Sequence, residues 1–453
     1  MKLGLMLPAA ISVMMLSNVT LAQQRVLDLT LYTSDFGIVH DKRELQLEDG
    51  VNEITLGDLP RTFNPETVYV EFEGRILEQS HDMGSGNWAE DIYKRLRGKE
   101  IRLISESGEV IEGTLQAHQY GQLIVEDRDG AFVYLSNAGN YRLHTEEDPS
   151  PAVQTQMHWT LESEQGGVQP LSLYYQVSQM QWSSGYLLIL EEDEETMTLE
   201  NRATIINRSG MDFPDVRVRL VAGAPDVSEP KGYTMARSGM MAEDRESSSI
   251  GPESFFEYYV FELPGRIHLA DQEQKQVALH RAAGIPALKH YRYATGSVGQ
   301  VNRNNNNSVR VEFRLTNNED FKLGRPLPGG LVKAYQKNDE LMEFIGEDRL
   351  EHTPAGQDFT LSAGRAFDVT AEEKQIRLEE LSPRVREEER EITFTSRKEK
   401  DITVEVHLQL YQNEELTGSS IPAREVEARR YVFEVPVTGE AESTLTLQLR
   451  RSN

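Results

Sequence analysis

Apolar and polar residues alternate with a period of two over most of the chain, which predicts β-strands. Val68, Val70 and Phe72 alternate with Tyr69, Glu71 and Glu73. Val404, Val406, Leu408 and Leu410 alternate with Glu405, His407 and Gln409, and Leu445, Leu447 and Leu449 with Thr446, Gln448 and Arg450. Each pattern makes one apolar and one wet face, as an antiparallel sheet over a core requires. Asp49-Gly50 and Asp129-Gly130 fall between such runs and predict hairpin turns. A short helix is predicted over Asn87–Leu96. Ala371–Glu391, charge-rich and broken by Pro383, reads equally as helix or strand.

The expected fold class is all-β and multidomain, with β-sandwich-like units and a small inserted SH3-like or OB-like barrel. Residues 23–92 form an amino-terminal β-unit that includes the glycine-bearing loop His81–Asn87. Residues 93–147 hold about five short strands separated by Gly98, Gly108, Gly113, Gly121 and Gly130, the reason for expecting a barrel. Residues 148–300 form a central β-rich region with a mobile loop near 226–251, marked by Pro230, Met240, Met241 and Ser247–Ser249. Residues 301–453 form a sandwich-like region with the polar tract Asn304–Asn307 as a hairpin tip.

The first residues break the strand pattern. Met1-Lys2 precedes an apolar run from Leu3 to Leu16, and Thr20-Leu21-Ala22 supplies small residues before Gln23-Gln24. That order predicts a secretory signal peptide over 1–22, cleaved after Ala22 and leading to the periplasm or the medium. The run is shorter than the ~20 residues of a spanning helix, and no transmembrane segment is expected in the mature chain. The chain has no Cys, which excludes thiol catalysis, cysteine metal sites and a lipid anchor on Cys. The formal charge of −27 disfavours nucleic acid, as do Glu106, Glu109, Glu112, Glu126, Asp127 and Asp129 within the small barrel.

The search for chemistry is negative. None of the ten His has the spacing of a metalloprotease; His280 and His290 are among the closer pairs. Gly296-Ser297-Val298-Gly299 approaches a serine-hydrolase elbow but lacks a residue before the Ser. Glu191–Glu195 lacks the ligand alternation of a calcium loop and reads as a solvated hairpin turn. Trp159, Trp182, Tyr174, Tyr175 and Tyr186 could stack on sugars, but core anchoring is the stronger reading. His407 lies on the polar phase of its strand and is expected to be exposed. No catalytic, cofactor-binding or metal-ligating residue is assigned.

Four stretches resemble the uncharacterised bacterial family called domain of unknown function 4139: Leu173–Leu190 around Trp182 and Tyr186; Ala203–Gly223 with Asn207 and Ser209-Gly210; Tyr258–Leu269; and Gly329–Val369 with Gly346-Glu347-Asp348, Thr353-Pro354 and Gly364. Residues 32–72 also resemble the opening unit of mucoidy inhibitor A-like proteins, with a small β-barrel standing where those proteins carry a coiled coil. The resemblance implies an all-β envelope protein and supplies no catalytic residues. The shared residues suit turns, bends and strand edges. The leading expectation is a non-enzymatic module that binds an envelope protein or polysaccharide and shows an exposed apolar or aromatic patch. The alternatives are a hydrolase of glycans or peptides with an acidic cleft, and a structural spacer.

Overall fold

The computed structural model describes residues 25–82, 87–147, 155–223, 253–255, 258–300 and 308–452. The expected signal segment, the loop near 226–251 and the tract Asn304–Asn307 lie outside these residues. Strands dominate throughout, so the all-β, multi-unit expectation holds. The chain divides into two compact units, one of residues up to 29 with 38–177, the other of residues 30–37 with 178 onward.

The first unit begins with β1 (Val26–Tyr32) and β2 (Phe36–Leu47), apart from their residues 30–32 and 36–37, and continues with β3 (Gly50–Leu59), β4 (Phe63–Glu71) and β5 (Gly74–Asp82). Then come the helix α1 (Trp88–Arg95) and β6 (Glu100–Ser105), β7 (Val110–Gln119), β8 (Gln122–Asp127), β9 (Phe132–Leu135) and β10 (Tyr141–His144). Last come β11 (Thr155–Ser163) and β12 (Gly167–Ser178). β11 pairs antiparallel with both β3 and β5, setting Trp159 opposite Ile54 and Gln79. β12 pairs with β4, Tyr174 opposite Tyr69. Strands on either side of the small sheet in sequence therefore share the same sheets.

The inward phase of β2 runs Val39, Asp41, Arg43, Leu45, Leu47, which puts an ion pair into an apolar row. Asp41 is fully buried, with Arg43 Nη2 at 2.8 Å and Arg25 Nη2 at 2.7 Å. Burial alone would raise its pKa. Hydrogen bonds from Arg43 and Arg25 outweigh that and hold it below the usual carboxylate value.

The small sheet has the order β10-β6-β7-β8-β9, with a 3-10 turn at Ala138–Asn140 before β10. That is the strand order of an SH3-like unit. It is an open sheet, however, not the closed barrel expected: β9 and β10 are its two edges and do not pair with each other. Leu96, Ile101, Leu103, Leu115, Leu123, Val125 and Leu135 fill its core. The predicted helix is present, its N-cap Asn87 accepting from Ala89 N, and its Tyr93 stacks on His118 at 4.7 Å.

The second unit has a five-stranded sheet containing Met180–Leu190, Thr196–Asn207 and Gly330–Asn338, and a nine-stranded sheet containing Ser308–Thr316, Asp358–Ser382 and Val385–Ser396. The ambiguous stretch Ala371–Glu391 is a hairpin, with Pro383 at its turn where no ladder N–H is needed. Strand Ser308–Thr316 serves two cores, Val309 in one and Phe313 and Leu315 in the other. The motif positions are structural. Fully buried Asn207 donates Nδ2 to the carbonyls of Met211 (2.9 Å) and Ala270 (2.9 Å) and accepts from Ser209 N (3.0 Å). Asn317 does the same for the carbonyls of Arg325, Thr353 and Pro354 and for Gly324 N. A Cβ on Gly346 would stand 2.8 Å from the Ala363 carbonyl carbon, so backbone approach requires glycine there.

Candidate docking surface

Most residues that the sequence offered for chemistry are committed to structure. Trp159, Trp182, Tyr175 and Tyr186 are buried; Trp182 donates to Val221 O (3.0 Å) and Tyr186 to Pro328 O (2.6 Å). Tyr174 lies on the other face, stacked on His40 at 4.1 Å. Glu191–Glu195 is a hairpin turn in which Lys337 pairs with Glu191 and Lys289 with Glu194. Thr295–Gly299, which contains the incomplete elbow, is clamped by buried charges. Arg390, wholly enclosed, binds Glu373 (2.9 Å) and Glu388 (2.7 Å) and donates to the carbonyls of Gly296 and Ser297.

His407 is half-buried, not exposed as expected, because its strand is interior to the nine-stranded sheet. It lies 3.4 Å from Glu405, which also meets His290 at 3.7 Å and Arg314. Burial lowers the pKa of both histidines. For Glu405, burial would raise the pKa, but the Arg314 hydrogen bond prevails and lowers it. The cluster holds its carboxylate charged against a guanidinium, which does not suit a proton donor. Among the described residues, the carboxylates with displaced pKa values (Asp41, Glu147, Glu194, Glu273 and Glu405) are all displaced downward. A general acid needs the opposite shift.

The small sheet shows a different pattern. On β8, Leu123 and Val125 point into the core, leaving Ile124 and Glu126 on the outer face. On β9, Val133 and Leu135 point inward and Phe132 and Tyr134 outward. Register sets Tyr134 opposite Ile124, Phe132 opposite Glu126, and Ala117 of β7 on the other side of Ile124. Tyr120 stands in the β7–β8 turn, at the end of the ladder nearer Ile124 and Tyr134 than Phe132. Tyr120 is 83% exposed, Phe132 67%, Tyr134 59% and Ile124 37%. At up to about 200 Å² per side chain these expose roughly 400 Å² of apolar surface, the scale of a functional patch on a monomer.

The local backbone explains the placement. Tyr120 has φ +49° and Gly121 φ +78°, the pair of left-handed residues a tight hairpin needs. A bulky Tyr in that conformation is costly, and here it presents its ring to solvent. Asp127 Oδ1 accepts from Asp129 N (3.0 Å) and Ala131 N (2.8 Å), which fixes the β8–β9 turn. Glu126 accepts from Gln116 (2.7 Å), so an ordered carboxylate borders Phe132. A second exposed group, Leu341, Met342 and Phe344, belongs to an edge strand partly covered by Asp358–Ser382, where Ser362 N donates to Asp348 (2.6 Å). The sequence reading passed over Tyr120, Ile124, Phe132 and Tyr134. The signal was Phe132–Leu135 itself, apolar in both phases where a half-buried strand should alternate.

Over residues 171–450 the chain matches the family model described as Domain of unknown function (DUF4139). No curated protein matches it. A solved structure of a putative protease from Parabacteroides distasonis ATCC 8503 is similar at 8% identity, covering 95% of this chain and 92% of that chain, with a TM-score of 0.15. At that score it bears on neither fold nor activity.

Proposed function

The chain belongs to the family of the domain of unknown function DUF4139, and on that premise we propose an exported, non-enzymatic binding protein of the bacterial envelope whose small sheet is its docking module. The observation that carries the proposal is the exposed face of Ile124, Phe132 and Tyr134, held outward by the ladder that buries Leu123, Val125 and Leu135, with exposed Tyr120 in the neighbouring β7–β8 turn. A solvated face gains nothing from large rings at those positions, whereas a docked partner removes their surface from water at about 25 cal/mol per Å². Export is supported by the charged start, apolar run and small residues over 1–22. The likeness of residues 32–72 to mucoidy inhibitor A-like proteins supports the envelope.

The test is capture from crosslinked cells of the protein's own source, using residues 23–453 and the double variant Phe132→Ser/Tyr134→Ser. A partner captured by the native chain and lost with the variant is expected. The same set captured by both would refute the reading. Cell fractionation, with amino-terminal sequencing for a start at Gln23, tests export separately.

A further inference from the structure

We infer that the free edge of β9 takes up an extended, cationic peptide segment as an added strand. The inference rests on the docking reading above and specifies its partner and mode.

The ladder phase carries the argument. Asp127 N donates to Ala131 O at 2.8 Å, which makes 127 and 131 a hydrogen-bonded pair. Antiparallel pairing alternates, so Val125–Val133 and Leu123–Leu135 are bonded pairs, and Ile124–Tyr134 and Glu126–Phe132 are not. The N–H and C=O groups of Phe132 and Tyr134 therefore point away from β8. β9 stands last in the sheet order, so no described strand meets them. Two donor–acceptor sets lie about 7 Å apart along one edge, the spacing an extended chain offers. Exposed edges are usually blunted by shortness, Lys, Pro or a bulge, and of these β9 has only its shortness, at four residues. Phe132-Val133-Tyr134-Leu135 has no Lys or Pro, and its pairing to β8 runs without a register shift. The two outward rings flank the positions an added strand would fill on the outer face, which is the geometry of strand addition with side-chain specificity.

Charge selects the occupant. Glu126 borders Phe132, the adjoining turn carries Asp127 and Asp129 around Arg128, whose charge is paired with Glu112, and the chain carries −27. A second copy of this chain would bring the same sign to the edge, whereas a segment with Lys or Arg beside β-branched residues is attracted.

The probes are two capped hexapeptides, Lys-Val repeated three times and Glu-Val repeated three times, added to the mature chain. The readouts are fluorescence anisotropy and amide hydrogen exchange. The Lys-Val probe is expected to bind and slow exchange at Phe132 and Tyr134, the Glu-Val probe to do neither. Phe132→Ala and Phe132→Pro both remove the ring, but only Pro removes the outward N–H, which bonds nothing in β8. Binding two- to tenfold weaker for F132P than for F132A is expected. Equal weakening, without slowed exchange, would overturn strand addition and leave the docking face standing. Unchanged binding in both variants would overturn both. Slowed exchange that grows with protein concentration and needs no probe would make a second copy the occupant, and the peptide proposal fails. If F132P does not fold, exchange in the unsubstituted chain still decides.

Discussion

Replacing Arg390 with Met tests whether the second unit depends on a buried charge network. The guanidinium is wholly enclosed. Nε and Nη2 reach Glu388 Oε1 at 2.8 and 2.7 Å, and Nη1 reaches Glu373 Oε1 at 2.9 Å. It also donates to Thr295 Oγ1, Gly296 O and Ser297 O. R390M keeps much of the volume and leaves two buried carboxylates without their cation. Removing one member of such a pair costs about 3–5 kcal/mol. Glu373 keeps Tyr293 Oη (2.8 Å) and Thr295 Oγ1 (2.7 Å), and Glu388 keeps Gly299 N, which argues against a larger loss. R390K should also be destabilised, since one ammonium cannot reach all these acceptors. Urea unfolding gives the loss, and hydrogen exchange at Val298 and Gly299 reports whether the clamped segment opens first. The triple variant E373L/E388M/R390M should recover at least half of the loss, because apolar isosteres of buried ion networks are tolerated. An R390M protein within about 1 kcal/mol of native, or a triple variant no better than the single, would refute the reasoning.

Asn207→Ala should cost about 2–4 kcal/mol by leaving the Met211 and Ala270 carbonyls and Ser209 N unpartnered, measured by urea unfolding. Asn207→Asp, which creates no cavity, should cost more at pH 7 and recover as acid protonates the carboxylate; an Asp variant as stable as native would sink the account. Gly346→Ala should cost about 1–3 kcal/mol, since its Cβ meets backbone and not a movable side chain, read as a lowered midpoint. Acid should weaken the fold in two stages. His40, His280, His290 and His407 have pKa values lowered chiefly by burial, so the unfolded chain takes protons first. Stability is full above about pH 6.5 and falls as pH drops through the lower folded values. Asp41, Glu194 and Glu405, also lowered, add a further loss below about pH 4. A melting midpoint that rises between pH 7 and 5.5 would contradict this.

Local pattern determined a good deal. Alternation within a strand depends on neighbouring residues alone, so the all-β class, the Asp129-Gly130 hairpin and the short helix from Asn87 were legible directly, whereas Asp49-Gly50 joins β2 and β3, which lie in different sheets and form no hairpin. Burial of Trp159, Trp182, Tyr175 and Tyr186 followed from the same phase. The tertiary structure decided what depends on partners distant in sequence. Hydrogen bonding can pair any exposed strand edge with another. Only the assembled sheets show β11 between β3 and β5, and β9 left as an edge. Ala371–Glu391 is a hairpin whose second arm pairs with the strand from Glu442, which its own charge-rich pattern could not show. The expected barrel stayed open because its terminal strands pair inward, with β8 and β6, and not with each other. The same limit hid the candidate surface. Phe132 and Tyr134 have apolar side chains whichever way they point. Only register against β8 turns the rings, and the edge's free N–H and C=O groups, toward water.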